Sequence, residues 1–376
     1  MLYGDGIHDD TLALQALLDQ RGVVTLDKPG TYLIHRTLII RSNTRFILSP
    51  GAHLLAAPLS RCALMENEHF AGGGRDANIE ITGGVWDGNC DAMGLDAVWE
   101  AKHREDQPYH PSLFKGKLIR FAHVDCLHLS RMTVRNPVSY GVQIADARTY
   151  IVRDLFFDYN WHFGTTDGIH INGPCRDGLI ENLSGTTNDD MIGVTTIDET
   201  HAEITAGEIA NLVIRNISAC NGYSGVRLLS AGGHALKHVH ICGVYGDYRH
   251  NAVVISNHNS RPGQVWFDNI VIERVHARKS YTPLSEDCFT FWEQDADERA
   301  ILCFETLARC GNVVIRDVLR SETEKTDAPL LQIDGMVEID RLYLGNIRQS
   351  VPEGTETPVL EVKGRVCERV ERDVMR

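Results

Sequence analysis

A chain of 376 residues, 43 % of them hydrophobic, can bury a sizeable core, which excludes a disordered polymer. Its 37 Lys and Arg against 51 Asp and Glu leave a formal net charge of -14, which repels a nucleic-acid backbone or an anionic membrane, so neither is an expected partner. No apolar run reaches the roughly 18 residues that cross a bilayer, and Met1-Leu2-Tyr3-Gly4-Asp5-Gly6 lacks the basic and apolar parts of a secretory leader; the expectation is a cytoplasmic protein, or a secreted one if a leader has been trimmed.

In chain order, Asp9 to Asp19 has the Leu and Ala spacing of an amphipathic helix, with Asp9, Asp10 and Thr11 as N-cap choices. Beyond it a short apolar-x-apolar segment keeps returning. Examples are Ile79-Glu80-Ile81, Leu127-His128-Leu129, Leu212-Val213-Ile214, Val239-His240-Ile241, Ile270-Val271-Ile272, Val313-Val314-Ile315 and Val337-Glu338-Ile339. Successive starts lie roughly 24 to 33 residues apart where no insertion intervenes, and a period of two means half-buried strand. Gly83-Gly84, Asn136-Pro137, Asn221-Gly222 and Asn346 follow the strands as turn residues. Two stretches interrupt the repeat. Residues about 91–118 make a polar excursion with Trp99, His103, Arg104 and His110, read as a loop over one face; residues about 281–311, with Phe289, Phe291 and Trp292, read as rim or oligomer contact.

Leucine-rich repeats would show a tighter Leu consensus, and a propeller four strands per blade; neither pattern is present. The expected fold is all-β: one parallel solenoid domain over residues 1–376, its strands about 4.8 Å apart, with an N-terminal capping helix. The ten Cys have no C-x-x-C pair and no zinc-type spacing, so most are expected as buried reduced thiols, with no disulfide, metal or cofactor.

The densest run of reactive side chains is Thr165-Thr166-Asp167-Gly168-Ile169-His170, followed by Thr187-Asn188-Asp189-Asp190-Met191. On neighbouring coils, Asp167, Asp189 and Asp190 would stand within roughly 5 to 10 Å of one another. Mutual repulsion would then keep one protonated beside ionised neighbours, as glycoside hydrolysis needs. The inverting form of that reaction sets its two carboxyl groups roughly 6.5 to 9.5 Å apart, with water between, which a cross-coil pair can meet. The plainer reading is that Asp-Gly and Asn-Asp are solvated turn residues.

Thr166-Asp167-Gly168 resembles the N-T-D signature of glycoside hydrolase family 28, the polygalacturonase family, and Asp189-Asp190-Met191-Ile192-Gly193-Val194 resembles its D-D-C-I-A-I run. Further matches in the same order are Asp5-Gly6-Ile7-His8-Asp9-Asp10-Thr11 with Gln15, Gly83-Gly84-Val85-Trp86-Asp87-Gly88-Asn89, and Asn136-Pro137-Val138-Ser139-Tyr140. The resemblance implies a right-handed parallel β-helix and an inverting hydrolase, with Asp189 as general acid and Asp167 and Asp190 holding the attacking water.

Two departures stand out. Gly222-Tyr223-Ser224-Gly225-Val226-Arg227-Leu228 has Tyr223 or Ser224 where the family's G-H-G motif has His, and Asn251-Ala252-Val253-Val254-Ile255 lacks the cations of its R-I-K motif. Plain polygalacturonate is therefore not the expected substrate; a differently decorated, pectin-like uronide or a neutral oligo- or polysaccharide is. Arg227 is the candidate replacement cation, with a surface Arg as the plainer reading. Weaker substrate-binding candidates are His170, Tyr223, Gln143, Trp99 and His258, each as readily structural. A polysaccharide lyase or fructan-type transferase and a glycan-binding tailspike are the alternative functions, and a dimer or trimer is the alternative to a monomer.

Overall fold

The structure, a computed structural model, describes residues 1–94, 116–197, 204–230, 233–257, 266–285, 288 and 299–375. Trp99, His258, Phe289, Phe291 and Trp292 lie outside the described residues. Among the described residues are 26 β-strands, one α-helix and one 3-10 turn, so the chain is all-β. The strands pair in parallel, with single coils returning to the same register, as a solenoid requires. The coils group into two compact units, one built mainly from Met1–Ile171 with Thr187–Asp189, the other from Asn172–Thr186, Asp190–Pro283 and the C-terminal strands.

In the first unit, Val24, Phe46, Ile81, Leu129 and Val152 stand in one register column, and Tyr32, Leu54, Trp86, Val134 and Phe157 in another. All ten are buried, so inward positions of successive coils stack directly on one another. Trp86, fully buried, donates its indole N–H to the Gly83 carbonyl at 3.1 Å; the glycine-rich run before it is thereby a core-filling turn. Helix α1 (Thr11–Leu18) buries Leu14 and Leu18 completely. Gln15 stitches it to the strand Leu38–Ile40 through both amide atoms, accepting from Ile39 N at 2.8 Å and donating to Ile39 O at 3.0 Å. Of the three expected caps, Asp9 accepts the Thr11 N–H at 2.8 Å, whereas buried Asp10 turns back to Tyr3 N and Gly4 N.

The second unit repeats the logic more regularly. Ile180, Ile214, Ile241, Ile272, Ile315 and Leu344 form a buried column through six successive coils. A bend recurs in each coil at the residue with left-handed φ: Asn182, Asn216, Gly243, Arg274, Asp317 and Asn346. Asn tolerates that region by bonding locally, and Asn216 indeed donates to Asn182 Oδ1 at 3.1 Å on the coil before.

The second expected excursion is shorter than residues 281–311. Leu302–Glu305 is a strand in register with Val253–Ser256 and Leu331–Ile333, and Arg309 begins the next. Ile301, Leu302, Cys303 and Phe304 are all buried, so this strand lacks the alternation that marked the others. All ten cysteines are free thiols; Cys90, Cys175, Cys242, Cys303 and Cys310 are buried, while Cys126, Cys220 and Cys367 are exposed.

Candidate active site

Asp167 lies in the first unit at the turn before Ile169. Its backbone carbonyl accepts the Gly141 N–H at 2.8 Å and the Tyr159 O–H at 3.2 Å, which pins the turn from two directions. His170, three residues on, brings Nδ1 to 2.6 Å from Asp167 Oδ2, with both side chains sealed from solvent. The imidazole lies flat against Tyr140, centroids 4.0 Å apart and planes 1° from parallel. The Lys117 ammonium sits over the other partner in that stack, 4.5 Å from the Tyr140 centroid. Burial first, and the Asp167 charge second, push the Tyr159 phenol well above its ordinary pKa, so it serves as a neutral donor. Gln143 is buried one residue beyond Gly141 and Val142, whose N–H groups bond to the carbonyls of Asp167 and Gly168.

Thr187–Asp189 belongs to the same unit. Thr166 and Asn188 form an antiparallel bridge, and Asn188 donates its side-chain N–H to the Phe163 carbonyl at 2.8 Å. That docking brings one carboxylate oxygen of Asp167 within 4.8 Å of one of Asp189. The distance is between one oxygen of each; the general inverting arrangement sets the carboxyl groups themselves roughly 6.5 to 9.5 Å apart.

Asp190, the next residue in the chain, opens the strand Asp190–Thr195 of the second unit, in register with Ser224. Its Oδ2 accepts Arg227 Nε at 2.8 Å; Arg227 Nη1 also stands 3.9 Å from Glu305 Oε1, and Arg299 Nη1 2.9 Å from Glu305 Oε2. Arg227 is thus already engaged with carboxylates of its own chain. Tyr223 is buried and stacks on His250 at 4.9 Å, and Ser224 Oγ lies 3.4 Å from His250 Nδ1. Lys279, 2 % exposed, donates to the carbonyls of Arg249, His250 and Arg299. Burial, followed by the charges of Arg227, Arg299 and Lys279, holds the His250 pKa well below the ordinary range, so the ring is neutral.

The first unit therefore assembles Asp167, His170 and Asp189, with Gln143 buried on the strand that follows the Asp167-bonded Gly141, and the second assembles Asp190, Arg227 and Tyr223. Sequence reasoning missed Lys117, His250, Arg299 and Glu305, and quoted Tyr140 only within a motif, without a role at the site. His250 arrives from the coil after Tyr223 and Ser224, a placement no local motif announces. Glu305 stood inside a stretch read as irregular. Its signal was the apolar run Ile301-Leu302-Cys303-Phe304 just before it.

No protein-family model and no curated protein matches the chain in sequence. Among solved structures, the endo-xylogalacturonan hydrolase from Aspergillus tubingensis is similar with a TM-score of 0.61 at 16 % identity, over 96 % of this chain and 94 % of that one. The Yersinia enterocolitica family 28 exopolygalacturonase gives 0.56 at 15 % identity, over 98 % and 76 %. The Streptococcus pneumoniae surface protein and adhesin PfbA gives 0.58 at 14 %, over 99 % and 97 %. What the chain shares with all three is the fold.

Proposed function

We propose that the chain is a metal-independent glycoside hydrolase acting on an oligosaccharide or polysaccharide, with Asp189 as general acid and Asp167 and Asp190 orienting the attacking water. The proposal includes the finer fold that the motifs imply, a right-handed parallel β-helix of one domain capped by α1. The observation that carries it is the approach of Asp167 and Asp189 within 4.8 Å, one of them sealed against His170. Two carboxyl groups so close do not both ionise freely, which supplies an acid beside a base. The likeness to an endo-xylogalacturonan hydrolase and to a family 28 exopolygalacturonase supports the same reaction class.

On the substrate side, Arg227 orients Asp190 through its 2.8 Å bond, and its charge is shared with Glu305. This favours a neutral or substituted sugar over plain polygalacturonate. The test is a screen of oligosaccharides and aryl glycosides with wild type and Asp189→Asn side by side. Turnover by wild type and its loss in the variant are expected; no turnover by either sinks the hydrolase reading.

A second reading, elimination by a lyase, draws on Lys117, a buried cation held over Tyr140 next to His170. It would give unsaturated products absorbing in the near ultraviolet, which hydrolysis does not form.

A further inference from the structure

A separate group of side chains in the second unit has no part in the reaction above. His240 and Cys242 are two residues apart on the strand Ala235–Tyr248, so they leave the same face. Glu273, on the neighbouring strand Trp266–Lys279, is the register partner of Cys242. A ring nitrogen of His240, the Cys242 sulfur and a carboxylate oxygen of Glu273 all lie within 4.8 Å of one another. Each donor sits on a strand paired on both sides, so the backbone beneath the triangle is fixed before anything binds.

The surroundings are equally specific. His240 Nε2 is 2.9 Å from Glu273 Oε1, while Arg316, from the coil beyond, holds Glu273 Oε2 at 2.6 Å. Arg274, at the left-handed bend, has its Nε 3.0 Å from Cys242 Sγ. Arg215, in register with Cys242 on the opposite side, is turned away to Glu181 at 2.6 Å. Cys242 and Glu273 are buried, and the His240 side chain is 42 % exposed, so the group can be reached from the imidazole side.

We propose that His240, Cys242 and Glu273 form a three-ligand site for a divalent, borderline-soft cation of the zinc type, with water in the fourth position. Imidazole nitrogen, thiolate sulfur and carboxylate oxygen are the donors such an ion takes, at roughly 2.0 to 2.3 Å each; to surround it, the 2.9 Å His240–Glu273 contact opens and the Cys242 sulfur, within 4.8 Å of both, draws in. On entry the Cys242 thiol gives its proton to solvent, Arg274, an exposed side chain, swings off the sulfur, and Arg316 stays on Oε2 to orient Glu273. The ion ties two adjacent coils together. Sequence spacing hides the site because Glu273 comes from the next coil.

The full chain, reduced, stripped with a chelator and titrated with Co(II), is expected to develop a thiolate-to-cobalt charge-transfer band saturating at one equivalent and displaced by Zn(II). Cys242→Ser should abolish the band, His240→Gln should weaken binding by about tenfold or more, and Cys367→Ser, an exposed thiol elsewhere, should leave it intact. Arg274→Gln should tighten binding, because the competing cation is gone. A wild-type chain with no band, or a band that survives Cys242→Ser, overturns the proposal. Should Cys242→Ser lose its fold by circular dichroism, the half-exposed His240→Gln decides in its place, and unchanged affinity there is equally fatal.

Discussion

Arg227 donates from Nε to Asp190 Oδ2 at 2.8 Å and turns Nη1 toward Glu305, whose other oxygen is held by Arg299, so two guanidiniums balance two largely buried carboxylates. Breaking a buried pair by removing one partner costs about 3 to 5 kcal/mol, because the other charge stays behind. Arg227→Ala is therefore expected to lower the unfolding free energy, read from the urea midpoint, by an amount near the bottom of that range, since the side chain retains some exposure. Arg227→Lys, which keeps charge but loses the fork, should fall between. Equal midpoints for all three proteins would show that the network is idle.

If Asp189 protonates the leaving oxygen, its loss matters most for poor leaving groups. Asp189→Asn should cut kcat by about 10²- to 10⁴-fold on an alkyl glycoside or natural oligosaccharide. On a nitrophenyl glycoside, whose leaving group needs no proton, the deficit should shrink by more than about tenfold. A uniform loss across leaving groups would move Asp189 out of the acid role.

The stereochemical outcome is open to direct observation. The motif resemblance implies inversion, and one oxygen of Asp167 within 4.8 Å of one of Asp189 leaves both stereochemical outcomes geometrically open. Proton NMR of the first-formed anomer is expected to show inversion, with the water seated beside the pair. Retention would make one of these carboxylates a nucleophile.

His250 gives a pH signature. Its ring is kept neutral in the folded protein, but ionises around its ordinary value of 6.5 once the chain unfolds. Below that pH the unfolded state binds the extra proton, so the contribution is whole above 6.5 and is lost as pH falls through and below it, by about 1.4 kcal/mol per pH unit until the folded-state pKa is reached. Denaturation at pH 7.5 and at about pH 5 should therefore show wild type losing more stability than His250→Gln. Parallel losses would mean the ring already carries its proton when folded.

Much of the architecture was legible because an inward column needs an apolar residue at every second position. Ile79-Glu80-Ile81 and Val313-Val314-Ile315 announce their strands for that reason. Leu302–Glu305 did not, since it is buried on both faces and erases the alternation. Within the site, Asp167 and His170 lie three residues apart in one run and stand out together in the chain, although the sequence marks His170 as a substrate-binding candidate and not as the partner of Asp167. Arg227 with Glu305, and Tyr223 with His250, join residues from different coils, whose pairing depends on how much chain each coil contains. That length is set by the insertions between strands, and insertions carry no periodic signal.

The same register holds a lesson about how such a molecule can change. The coil from Ile270 to Val313 uses far more chain than the one from Val313 to Leu342, yet both return to the same column. Chain length is thus decoupled from core geometry: a segment between strands can grow, shrink or be exchanged while the buried ladder stays as it is. Grafting experiments could exploit this, recasting what the protein grips by trading whole connecting segments while its carboxylates keep their seats.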